Sequence, residues 1–373
     1  VPGLRGLARA EGAAIFDLMA GFVRSQVLSA LVELRVLAIL AEGPASVPAL
    51  ALRCAVPESR MAVLAQAGAG IGLLKRLRDG RFGLSRRGAA FLGVPGLEAL
   101  VRHHGVLYGD LAGAAAFFRG ESDPELARFW PYVLGPGAAR DPDTAARYSR
   151  LMAETQAMVA ADTLDAVPLR GRAHLMDVGG GTGAFLRAVR ARHPGLALTL
   201  FDLPEVVAVA ALPDGVTRAG GSFRTESLPR GADTISLIRV LYDHDDDTVQ
   251  GLLARVAAAL PSGGQVIISE PMSGGARPDP QTDVYFSIYT LAMQTGKTRS
   301  APQVAALLAR AGFAAIKPGA PRRRDRGRRS DPTRGQGGCR AARARGDGRE
   351  RRGGRARVRR RPRPHRSARE RRA

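Results

Sequence analysis

Residues 175–183, Leu175-Met176-Asp177-Val178-Gly179-Gly180-Gly181-Thr182-Gly183, run an apolar stretch into three alternate glycines, and FLRAVRARH (185–193) continues with helical spacing. That is a strand, a tight turn and a helix. Without a Cβ at Gly179, Gly181 and Gly183 the backbone can pass close under a ligand. A second acid, Asp202, ends the next apolar segment, LALTLFD, 25 residues beyond Asp177, where a carboxylate grips a ribose diol.

The same turn also satisfies the dinucleotide fingerprint G-x-G-x-x-[GA] through Gly179, Gly181 and Ala184. A dinucleotide site holds its pyrophosphate at the helix N-terminus, and an acid at the end of the strand repels that anion. Asp177 stands there. S-adenosylmethionine has no phosphate but carries an ammonium and a sulfonium, so the acid favours it over a nicotinamide cofactor. The plain alternative, a glycine-rich turn with no ligand, explains the run poorly, because such glycines weaken a core turn unless something must come close.

Outward from this turn, residues 172–318 alternate apolar strands with helices: LMDV, LALTLFDL, GVTRAGG, DTISLIRVL, QVIISEP and AAIKP. The alternation predicts an α/β fold with a parallel sheet and ligands at the strand C-terminal ends. Polar residues gather at those ends: Asp177, Asp202, Ser222-Phe223, Tyr242-Asp243-His244 and Glu270. Ahead of the sheet, residues 16–94 read as short helices closed by LLKRLRDGRFGLSRRGAAFL, a helix and a small hairpin turning at Asp79-Gly80. This is a winged-helix pattern. Such a module can read DNA, but SALVELRVLAILAE is apolar on more than one helical face, which fits burial against a second copy of the chain better than nucleic-acid binding. The expected division is 1–94 for a winged-helix dimerisation domain, 95–165 for linking and pocket helices, 166–318 for a Rossmann-like nucleoside-binding domain, and 319–373 for a tail. The helical stretch 95–165 carries Tyr108, Phe117, Phe118, Trp130, Tyr132, Met152 and Met158, most of which read as ordinary core.

The net charge of +22 suggests a nucleic-acid binder until its position is considered. Residues 319–373 hold 23 Arg and 5 acids, so the body of the protein is close to neutral. The tail has no Lys and few apolar residues, and its composition predicts disorder. Arg, Gly, Ala and Pro make up 43 of its 55 residues, the product expected of a shifted reading frame in GC-rich DNA, in preference to a functional basic arm. Cys54 and Cys339 give no disulfide framework, which fits a reducing cytoplasm. The N-terminal segment lacks a signal-peptide layout, and no apolar run is expected to reach membrane-spanning length. A soluble cytoplasmic protein, with peripheral membrane contact left open, is the expectation.

DVGGGTG, FDLPEVV, RVLYDHDDD, LPSGGQVIISEPM and TGKTRSAPQVAALLARAGF together resemble the class I S-adenosylmethionine-dependent small-molecule O-methyltransferases, the group of the plant phenolic and acetylserotonin enzymes. RVLYDH, ISEPMSGG and DVYFSIYTLAMQTGKTRS most resemble the branch that acts on bacterial carotenoids. The resemblance covers roughly residues 12–318. It implies methylation of a tertiary hydroxyl at the end of a long polyene, a hydrophobic small-molecule acceptor, a homodimer and no metal. It implies S-adenosylmethionine contacts at Asp177, Gly179, Gly181, Gly183, Asp202, Leu203, Ser222, Phe223 and Arg239, and an acceptor pocket at Met158, Tyr285, Tyr289 and Met293. The group places a catalytic His in L-H-D-W where this chain has Leu241-Tyr242-Asp243-His244. Of the two carboxylates that flank that His, one matches Glu270 and the other falls on Ala301. The group's sheet also ends with two strands after the helix PQVAALLARAGF, and only AAIKP is visible before the arginine tail, so one central strand is expected to be missing and the sheet to be left open.

Methyl transfer from sulfur to oxygen is an in-line displacement that needs alignment and loss of a proton. A tertiary alcohol is a poor acid, so a general base helps. An imidazole with a pKa of about 6.5 can accept that proton at neutral pH, and a phenol at about 10 cannot. The expected base is His244, directly or through Tyr242, with Glu270 orienting the pair; a solvated turn residue is the bland reading of His244. The DHDDD acids read as a helix cap formed by Asp246 or Asp247, in preference to a magnesium site. Tyr285, Tyr289 and Met293 recur at four-residue spacing and predict one uncharged helix face, either lining an apolar acceptor or packed in the core.

Overall fold

The computed structural model describes residues 2–129, 156, 159–319 and 339–346. The N-terminal part is helical: α1 (Pro2–Glu33), α2 (Val36–Glu42), α3 (Val47–Cys54) and α4 (Glu58–Gly70), then strands β1 (Leu74–Arg76) and β2 (Phe82–Leu84), and α5 (Arg86–Gly93). Ser46 and Ser85 cap α3 and α5, their hydroxyls accepting from the N–H groups of Ala49 and Gly88. The β1–β2 hairpin turns at the expected place, with Gly80 in the left-handed region at φ 83°. Leu31, Val36, Leu37, Leu50, Met61 and Phe82 form the core of this winged-helix unit.

One expectation fails here. Ala10–Glu33, within α1, has 24 residues and a hydropathy of 1.4, long and apolar enough by length and composition to cross a membrane. Its scattered charges, Glu11, Asp17 and Arg24, hid this from a search for an unbroken apolar run. Ile15, Phe16, Leu18, Met19, Phe22 and Val23 are exposed on the single chain.

Among the described residues, helical segments lead on towards the sheet: α6 (Leu97–Asp110), α7 (Ala114–Arg119), α8 (Leu126–Phe129) and α9 (159–166). Trp130, Tyr132, Met152 and the expected pocket residue Met158 lie outside the described residues. The sheet follows, with strands β3 (His174–Val178), β4 (Ala197–Asp202), β5 (Val216–Gly220), β6 (Thr234–Ile238), β7 (Gln265–Pro271), β8 (Phe313–Pro318) and β9 (Cys339–Gly346). Its order is β5-β4-β3-β6-β7-β9-β8. The first five of these are parallel and are crossed by α10 (Ala184–Arg192), α11 (Pro204–Val209) and α12 (Asp246–Ala259). β6 and β7 are buried at every residue, as a sheet covered on both faces requires. The chain reverses its direction of travel across the sheet between β3 and β6, which opens a ligand crevice at their C-terminal ends.

The sheet is not left open. β9 pairs antiparallel with β7, from Gln265 opposite Arg345 to Pro271 opposite Cys339, and β8 pairs antiparallel with β9. The inserted strand comes from inside the arginine-rich segment that composition marks as wholly disordered. Backbone pairing needs only N–H and C=O groups, which composition does not report.

The last helices are α13 (Ser287–Met293) and α14 (Ala301–Arg310). The expected single helix before residue 293 is composite, because Pro280–Phe286 forms a π-helical turn ahead of α13, begun by Asp279, whose carboxylate accepts from the N–H groups of Gln281 and Thr282. Such turns often accompany functional sites.

Candidate active site

The floor of the crevice is the β3 end and the glycine turn. Asp177 is 1% exposed. Its Oδ1 accepts from Ser236 Oγ at 2.6 Å, across from it on β6, while its Oδ2 is buried without a hydrogen-bond partner. Burial, only partly offset by the Ser236 bond, raises this carboxyl to about 7. A Cβ on Gly180 would lie 2.5 Å from that same Oδ2, so the bare turn rests directly on the acid. Gly179, Gly181 and Gly183 hold φ values of 69°, 56° and 78°, which only glycine adopts without strain. Space above Gly181 is open.

Asp202 stands at the end of β4 with Gly181 N–H donating to its Oδ2 at 2.8 Å and Leu203 N–H to its Oδ1 at 2.7 Å. Burial pushes its pKa up against these two bonds. Each oxygen keeps a further lone pair, enough for a diol. Gly221 N–H donates to the Asp202 carbonyl, drawing the β5 end alongside. There Ser222 starts a local turn, its hydroxyl accepting from Arg224 N–H and its own N–H bonded to Glu226. Phe223 closes the side of the crevice, and a Cβ on Gly179 would meet its ring at 3.9 Å.

Beyond β6 the chain turns sharply. Arg239 sits at φ 59°, a strained conformation for a long side chain, held by its N–H to the Ser269 carbonyl. A 3₁₀ turn, Leu241–Asp243, follows. Glu270, 3% exposed, holds this turn: Val240 and Leu241 N–H each donate to Oε1 at 2.8 Å, and Tyr242 N–H donates to Oε2 at 3.4 Å. Burial outweighs these bonds and raises Glu270 to about 7. Arg299, 4% exposed, ties the other side, donating to the carbonyls of Leu241 and His244 and to Asp246. The helix cap is Asp245, not Asp246 or Asp247, with its carboxylate accepting from Thr248 N–H. Asp246 instead pairs with Lys297 and Arg299. Among the described residues no His, Cys, Asp or Glu cluster could hold a metal ion.

The expected Tyr242–His244 couple is not assembled. His244 Nδ1 accepts from Arg224 at 3.1 Å and its ring packs edge-on to Phe223 at 5.4 Å. Tyr242 Oη meets Arg239 at 3.5 Å instead. Around a tight turn, residues two apart point in different directions, so adjacency in sequence did not become contact. Glu270 therefore orients the backbone of Tyr242 and not a side-chain pair. Burial, with help from the nearby Arg224 and Arg299 charges, lowers His244 to about 4. Burial raises the Tyr242 phenol well beyond its usual range.

The opposite wall joins α6 to α13. Tyr285 and Tyr289 face one another at 5.9 Å, and Met293, fully buried, packs with Leu107, Phe117 and Leu126. Two histidines that show no ligand spacing in the sequence belong here. His103 Nε2 lies 2.6 Å from Tyr289 Oη, and the His104 ring is 5.3 Å from that of Tyr285, its Nδ1 bonded to the Leu100 carbonyl. Asp243, which the sequence places in the polar cluster at the end of the fourth strand, is buried there with its Oδ1 unpartnered.

Residues 108–314 match the O-methyltransferase domain family, and residues 16–93 match the O-methyltransferase dimerisation domain. The chain belongs to the O-methyltransferase family. It is 58% identical, over 326 residues, to demethylspheroidene O-methyltransferase of Cereibacter sphaeroides, a match covering 85% of this chain and 86% of that protein. The enzyme of the same name from Rhodobacter capsulatus is 55% identical over 85% of this chain and 80% of that protein. Human N-acetylserotonin methyltransferase, solved in complex with S-adenosylmethionine, superposes with a TM-score of 0.73 at 25% identity, covering 90% of this chain and 98% of that one. The protein is thus an S-adenosylmethionine-dependent O-methyltransferase with an N-terminal dimerisation domain. Its residues suit that donor: the unpartnered Asp177 Oδ2 can take a cationic amine, the Asp202 carboxylate a ribose diol, and the Cβ-free turn leaves room between them.

Proposed function

We propose that this O-methyltransferase methylates the tertiary hydroxyl of an acyclic hydroxycarotenoid. The observation that carries the reading is 58% identity to a demethylspheroidene O-methyltransferase along 86% of that protein's length. The wall formed by Tyr285, Tyr289 and the buried Met293 supports it, since aromatic and thioether groups without formal charge suit a polyene.

S-adenosylmethionine supplies a methyl group on a positively charged sulfur. Asp177 and Asp202 would hold the donor at its ammonium and its ribose diol, and such anchoring would align it for an in-line transfer. Glu270, by holding the backbone of Val240, Leu241 and Tyr242, sets the rim between donor and acceptor. Tyr242, buried, and Arg239, half-buried, occupy that rim and limit the access of water to it.

We further infer a homodimer joined through α1 and the winged-helix unit. Ile15, Phe16, Leu18, Met19, Phe22 and Val23 are exposed on one chain, and a second copy would remove them from water. In this reading the length and apolarity of α1 serve the dimer, and the protein works in the cytoplasm with its acceptor drawn from a membrane. Incubation with labelled S-adenosylmethionine and a panel of hydroxycarotenoids and phenols tests the acceptor. Label in a carotenoid methyl ether is expected, and label confined to phenols overturns the assignment.

A further inference from the structure

We propose that Tyr289 and His103 form the proton relay of this enzyme: Tyr289 meets the acceptor hydroxyl, and His103 receives the proton through it. The inference requires only O-methyl transfer to an alcohol, and its choice of alcohol rests on the hydroxycarotenoid reading.

The geometry comes first. His103 Nε2 and Tyr289 Oη are 2.6 Å apart, a short hydrogen bond between side chains 186 residues apart in sequence. Tyr289 is 6% exposed and stacks near Tyr285. Charges on Tyr285, Tyr242, Asp243 and Arg239 act on its hydroxyl, so the pair lies within electrostatic reach of the turn that follows β6. Position 242 is a tyrosine, and burial keeps its phenol protonated. His244 is turned to Arg224 and Phe223. His103 is the histidine that the structure joins to this rim through a hydroxyl.

Protonation state fits the role. Burial, reinforced by His104, lowers His103 to about 4, so the ring is neutral at physiological pH. In the Nδ1–H tautomer its Nε2 accepts from Tyr289. As the new O–CH₃ bond forms and the S–CH₃ bond breaks, the acceptor proton passes to Tyr289 Oη and the tyrosine proton to His103 Nε2. A positive charge leaves sulfur as one appears on the imidazole, so the net charge of the crevice is unchanged. That balance offsets the low basicity of a desolvated ring.

The groups that face the pair and can shape its titration are His104 and Tyr108 on α6, Tyr285 ahead of α13, and Arg239, Tyr242 and Asp243 from the β6 end. Arg102, also on α6, is engaged by the Val32 carbonyl and Glu98.

The test uses the full-length protein, S-adenosylmethionine and an acyclic 1-hydroxycarotenoid. His103→Gln and Tyr289→Phe should each lower kcat by about 100-fold while acceptor KM and donor affinity change little, and the double variant should be no slower than either alone. The acid limb of the kcat–pH profile should vanish in His103→Gln. Added imidazole should restore part of the activity of His103→Ala, a readout that survives partial loss of folding. Retention of kcat within about threefold in His103→Gln, or an unaltered acid limb, overturns the relay. If the wild type labels only a phenol, the acceptor assignment fails by itself, and the same variants assayed on that phenol decide the relay. An enzyme that labels neither class overturns both.

Discussion

The floor proposed for the donor and the wall proposed for the acceptor are built from different materials. On the floor, carboxylates at strand ends bond to backbone N–H groups: Asp202 to Gly181 and Leu203, and Glu270 to Val240, Leu241 and Tyr242. On the wall, side chains of α6 and the segment 285–293 meet one another: His103 with Tyr289, His104 with Tyr285, and Met293 with Leu107 and Phe117. The difference teaches where variation is tolerated. Backbone amides are the same in every sequence, so the floor suits a donor that does not change. A wall of side chains can be refitted to a new acceptor without disturbing the sheet.

Breaking the floor should have the largest effect. Glu270→Ala strands three buried N–H groups, and a loss of about 3 kcal/mol or more is expected in denaturant unfolding, against a smaller loss for Glu270→Gln. Equal losses in the two variants would show that the turn does not depend on those bonds.

The next test separates floor from wall by pH. Asp177, raised to about 7, must ionise to hold a cation, so donor affinity should climb by about tenfold as pH rises through 7, and Asp177→Asn should flatten that climb. A flat calorimetric profile in the wild type would remove Asp177 from donor binding.

Stability without donor should move the other way. Asp177 and Glu270 are raised from about 4 to about 7, so between those values the folded state holds protons that the unfolded state has released, and stability falls as pH rises through that window. His103 and His244 are lowered from 6.5 to about 4, so their contribution is complete above 6.5 and is lost as pH falls through this interval. Unfolding midpoints across pH 4–8, with and without Glu270→Gln and His103→Gln, divide the two contributions.

The smallest effect is expected at His244, which touches neither Tyr242 nor the wall. His244→Ala should cost about 1 kcal/mol of stability and leave turnover within about threefold. A collapse of kcat with donor binding intact would return the base to this residue and break the contrast drawn between floor and wall.

Legibility in the sequence follows the same division. Asp177, Asp202 and Glu270 could be placed at one edge of the sheet because each ends an apolar strand, and parallel strands deliver their C-terminal ends together. The glycine turn was legible because its conformation excludes other residues. His103 was not, because nothing local marks a helical histidine whose partner is 186 residues away. The Tyr242–His244 couple misled for the opposite reason: neighbours in the chain were divided by a turn that Glu270 and Arg299 pin. β9 was missed because its arginines and alanines carry no strand pattern, although the order of the sheet leaves a place for it between β7 and β8.

The sequence by itself determined the class of fold, the glycine turn and the acids beneath it, since these depend on short-range periodicity and on backbone angles that particular residues permit. Only the tertiary structure decided which side chains of α6 and residues 285–293 share one wall, how the turn after β6 divides Tyr242 from His244, and where β9 enters the sheet. Those are contacts between segments far apart in the chain, fixed by packing and by hydrogen bonds closed only when the whole sheet and its helices are assembled.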